Sequence, residues 1–154
     1  MFNAIAIILH LIAINVWVGG MFFLVIVLGR AISTLEQAQQ LAVWARVLKS
    51  FFFWVWLAVL TLLSSGIGML VYRFHDFVNA PTYVLVMACL GVLMMLVFLL
   101  IYFIFYQKFK HSIQNKEVEL ARDNLRVIRI LGFVNLALGL CVVVTIGGGP
   151  YIQF

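Results

Sequence analysis

In HLIAINVWVGG, residues 10 to 20, a histidine, an asparagine and a tryptophan interrupt a stretch otherwise as apolar as lipid. Imidazole is the commonest metal ligand and the usual axial ligand of haem iron, so His10 is the first residue to ask about. Helical spacing puts Ala13, Ile14 and Trp17 on its face, with Trp17 placed to wall a pocket. Asn15 is a polar partner for a neighbouring helix. Met69, Met87, Cys89 and Cys141 fall at a similar depth, and imidazole with thioether and thiolate is a donor set suited to Cu(I). His75 offers a second imidazole on the same side, with Met69 the next choice as an axial ligand. Two axial ligands from different helices, enclosed by aromatic rings, make a b-type haem site, and Arg73 is placed to pair with propionates. Each residue also has a plain reading. Met and Cys fill apolar interiors, His75-Asp76 suits a solvated turn, and His10 can hydrogen-bond across to another helix.

The elements that position these residues are membrane spans. The 154 residues are 66% apolar and 10% charged, with a mean hydropathy of +1.19, outside the range of a soluble globular domain. Four apolar runs, about 4–29, 50–72, 82–107 and 127–147, each reach the ~20 residues that cross a hydrocarbon core. The first run lacks a basic flank and a small-residue cleavage site and is expected to be retained. Helical extensions are expected over about 34–49 and 108–126, the first opened by a capping box from Ser33 to Glu36, the second turning near Asn115. Pro81 sets the start of the third span, and the GGGP tail ends the fourth. The glycines at 19, 20, 66, 68, 91, 132 and 139 are expected at close helix approaches.

Lys and Arg set the orientation. Arg30, Arg46 and Lys49 lie between spans one and two, and Lys108, Lys110, Lys116, Arg122, Arg126 and Arg129 between spans three and four. Arg73 stands alone in the middle connection. The basic connections are expected in the cytoplasm and both termini outside. Short connections make neighbours antiparallel, so the expected fold is all-α, an up-down-up-down four-helix bundle forming one domain over 1–154. The net charge of +5 is then a topological signal with a possible role in holding anionic lipid, and it does not point to nucleic acid.

The run from His10 through Trp17-Val18-Gly19-Gly20 and on to MFFLVIVL resembles the first-helix motif of the copper-resistance D (CopD) family of bacterial membrane proteins. Arg46, the Ser65-Gly66-Ile67-Gly68 segment and Asn124-Leu125-Arg126 fit the same pattern loosely. A more distant similarity links the chain to HemJ-type protoporphyrinogen oxidases, a four-helix group associated with haem b. Those relatives carry a lysine in the third span, whereas Tyr83 to Leu90 contains no basic residue. The resemblance implies a bacterial inner-membrane protein in which His10 carries a haem or a metal.

Three functions follow as expectations. A b-type haem held through His10, near the periplasmic face, would serve electron transfer or small-molecule redox chemistry. Copper binding or uptake through His, Met and Cys ligands is the alternative. The third is a cofactor-free accessory subunit of a larger membrane complex. A redox partner, or a homodimer sharing a cofactor between two His10 rings, is compatible with the first. No carboxylate lies inside a span, and no Ser-His-acid set can be placed on one side, so hydrolysis has no candidate.

Overall fold

The computed structural model describes residues 2–69 and 81–148, and every regular element among them is helical. Helix α1 (Phe2–Phe22) continues through a π-helical stretch, Phe23–Leu28, into the short α2 (Gly29–Ala31). After a turn comes α3 (Gln37–Met69). Helix α4 (Thr82–Leu100) passes through a second π-helical stretch, Ile101–Tyr106, into α5 (Gln107–Gln114), and α6 (Val118–Gly148) completes the chain. Four segments are long and apolar enough to cross a membrane: Ala4–Ala31, Gln37–Met69, Thr82–Gln114 and Val118–Gly148. At 1.5 Å per residue the longest reach about 50 Å, well beyond a ~30 Å hydrocarbon core. The surplus carries the basic residues.

Local chemistry explains where these helices stop and start. The Ser33 hydroxyl donates to the Arg30 carbonyl at 2.8 Å, closing the first helix, so it does not cap the next one as its spacing with Glu36 predicts. The cap is shifted by three residues. Glu36 precedes α3 and its amide donates to the Gln39 side chain at 3.4 Å, the reach-back half of a capping box. Between α5 and α6, Lys116 adopts φ 60°, the left-handed conformation that ends many helices. The Glu117 amide then bonds Ser112 O at 2.9 Å and the Lys116 amide bonds Ile113 O at 3.2 Å, the two bonds of a Schellman turn. The turn near Asn115 is therefore very short, and α5 lies against α6.

Short turns give antiparallel neighbours, and the packing follows. Helix α1 lies along α3, α4 along α6, and α1 also contacts α6. Helices α3 and α4 approach each other less closely, and a layer of rings joins them. Phe98, 0% exposed, sits at its centre with centroids 5.9 Å from Trp17, 6.0 Å from Phe52, 5.3 Å from Trp56 and 5.9 Å from Tyr102. Such pairs contribute about 0.5–1.5 kcal/mol each beyond buried area. Outward, large side chains such as Phe53, Trp54, Leu60 and Val144 are exposed, as lipid contact requires. The fold is an all-α membrane four-helix bundle.

Two of the expected close approaches by glycine are absent: a Cβ at Gly19 or Gly91 would meet nothing within 4 Å. Gly139 does make one, since its Cβ would come 2.7 Å from Val18 and 3.2 Å from the Met94 methyl. On the same face of α6, between Gly132 and Gly139, stands Asn135. It is 0% exposed, and neither amide atom has a hydrogen-bond partner among the described residues. An unpaired buried amide costs about 1–3 kcal/mol. Asn135→Leu is therefore expected to stabilise the bundle by about that amount. Reversible unfolding of the detergent-solubilised protein measures it, and equal or lower stability would mean that the amide is satisfied.

Candidate functional site

Seven residues, or about 10 Å of helix, separate His10 from Trp17. Over that length a cavity of about 260 Å³ opens above the aromatic layer. His10, Ile14 and Trp17 line it from α1, Leu62 and Gly66 from α3, and Val142 from α6. From α4 come Met87, Gly91, Met94 and Met95, whose spacing of four, seven and eight residues places them on one face. Trp17 is 1% exposed, edge-on to Phe98, and forms part of the floor. Gly91 lines the cavity without a neighbour within 4 Å of its Cβ position, so its missing side chain keeps space open.

The histidine is held in one orientation by a bond to α3. Its Nδ1 lies 2.8 Å from Ser65 Oγ, and its Cε1 passes over Gly66, 3.6 Å from where a Cβ would stand. A serine hydroxyl has a single proton, and Ser65 donates it to the Thr61 carbonyl one turn earlier. With the hydroxyl proton on that carbonyl, the Ser65 oxygen accepts from Nδ1 and the lone pair stays on Nε2, which has no hydrogen-bond partner among the described residues. A ligating histidine is oriented in the same way, by a bond from its other nitrogen.

The remaining expected ligands scatter. Cys89 is two residues from Met87 and so on a different face of α4; it is an exposed free thiol, as is Cys141 on α6, and neither lines the cavity. Met69, at the end of α3, does not line it either. Asn15 faces a separate groove between α1 and α6, and its amide donates to the Leu11 carbonyl of its own helix at 2.8 Å rather than to a neighbour. Arg73 and His75 lie outside the described residues. Among the described residues no three of His, Cys, Asp and Glu converge as a metal cluster. The donors that do share a space are one imidazole nitrogen and the methionine side chains. The spacing of 87, 91, 94 and 95 is the sequence signal that groups the methionines.

A family model described as CopD, copper resistance protein D, matches residues 45–148. No curated protein and no solved structure matches the chain.

Proposed function

The chain belongs to the copper resistance protein D family, and from that we propose that it binds copper(I) within the membrane, in the cleft between α3 and α4. The observation that carries this reading is His10, anchored through Nδ1 to Ser65 with Nε2 unpartnered among the described residues, in a cavity that methionines also line. Imidazole and thioether are neutral, and soft sulfur donors select Cu(I) over harder cations. Charge favours the same oxidation state. Among the described residues no carboxylate lines the cavity, and an uncompensated charge is expensive in an apolar interior, more so for a dication than for a monocation. His10 and Met87 or Met95 would hold the ion, with Trp17 and Phe98 closing the space beneath it.

Haem b draws less support. At about 260 Å³ the cavity is smaller than the ~300–1,000 Å³ usual for cofactor clefts. The basic ends of the helices are read as cytoplasmic, which turns the cavity towards the periplasmic side of a bacterial inner membrane. Copper would then arrive from outside as cargo.

Anaerobic titration of the purified chain with Cu(I), against a chromophoric competitor, tests the proposal. One ion per chain and no Soret band are expected; a Soret band in place of copper would overturn it. Ser65→Ala removes the hydroxyl that fixes the ring, and changes of that kind cost about 10–100-fold in metal affinity. The same titration reads that loss, and unchanged affinity would separate Ser65 from the site.

A further inference from the structure

At the basic end of the bundle, α6 carries two arginines one turn apart beside the end of the first helix. Arg126 and Arg129 are both exposed and line a groove of about 320 Å³ with Val25, Ile130, Phe133 and Val134. Like charges three residues apart on one helix face repel. Among the described residues the single ion pair is Arg122 with Glu119, and neither arginine of the groove is within ion-pair distance of a carboxylate.

Arg129 is nevertheless held in place. Its guanidinium lies over the Trp44 ring, 5.7 Å from the centroid. Its Nη2 stands 2.8 Å from where a Cβ on Gly29 would be, so any larger residue there would displace it. A guanidinium fixed in this way, with its hydrogens unpaired, is preorganised for an oxyanion. Directly along α6, on the membrane side of the arginines, the groove becomes apolar: Ile130, Phe133 and Val134 are 55%, 56% and 43% exposed.

We propose that this groove binds an anionic phospholipid, its phosphate on Arg126 and Arg129 and an acyl chain along Ile130, Phe133 and Val134. Charge selects the headgroup and the adjoining apolar wall selects a lipid over a free anion. The site stands at the end of the bundle away from His10 and does not depend on the copper reading. It gives α6, which packs against both α1 and α4, an anchor at the membrane surface.

Native mass spectrometry of the full chain, titrated with phosphatidylglycerol and with phosphatidylcholine, tests it. Phosphatidylglycerol is expected to bind more tightly, and Arg126→Gln and Arg129→Gln are each expected to weaken it about fivefold. Gly29→Leu should weaken it while leaving the net charge unchanged. Lys108→Gln with Lys110→Gln, on α5, should leave the preference intact. The proposal is overturned if the arginine variants keep the wild-type preference, or if the lysine pair removes it equally. It is also overturned if inorganic phosphate displaces the lipid at comparable concentration.

Discussion

His10→Ala is expected to weaken Cu(I) binding by more than 100-fold while the bundle stays folded. Among the described residues the ring supplies the one imidazole in the cavity, and the loss should exceed the 10–100-fold typical of a residue that only orients a ligand. Folding loses little, because the ring is partly buried and contributes a single hydrogen bond between α1 and α3, about 0.5–1.5 kcal/mol. Ser65 keeps its bond to Thr61. His10→Met, which restores a soft donor from the same helix, should recover part of the affinity. Competition titration reads both variants, and unfolding in detergent confirms that the alanine protein is intact. Wild-type affinity in His10→Ala would remove the histidine from the site.

Phe98→Ala carries the largest expected effect on stability. The ring is fully buried and touches Trp17, Phe52, Trp56 and Tyr102, so its removal empties the layer that joins α3 to α4. Truncating a buried phenylalanine costs about 3–5 kcal/mol in soluble cores. The lower end applies here, because lipid is as apolar as the interior and the penalty comes from lost packing rather than from transfer out of water. The floor of the cavity would loosen as well, and Cu(I) affinity should fall with stability. Phe23→Ala, at a position 50% exposed and outside the aromatic layer, is the matched control and should change stability by no more than about 0.5 kcal/mol. Equal effects of the two substitutions would mean that the aromatic layer does not hold the bundle together.

These residues show what sequence could and could not reveal. Length and composition make four membrane-spanning helices plain, and the position of Lys and Arg separates one end from the other. Depth follows from counting residues, and on that basis His10, Met87, Cys89 and Cys141 looked like companions. Direction around each helix was hidden. A soluble helix advertises its buried face by contrast with polar residues, but here lipid and interior are equally apolar and the contrast disappears. Cys89 and Met87 share a depth and not a face. The His10–Ser65 bond needed the packing of α1 against α3, and Asn135 gave no hint that its amide would be enclosed without a partner. The capping spacing from Ser33 to Glu36 misled for a local reason: the hydroxyl bonds the helix that precedes it.

X-ray absorption at the copper edge, on the Cu(I)-loaded protein and on its His10→Ala variant, addresses the central claim most directly. The wild-type spectrum is predicted to contain one imidazole together with sulfur scatterers, and the variant to lose the imidazole. Identical spectra from the two proteins, or a first shell without sulfur, would contradict a copper site built on His10 and the methionines of α4.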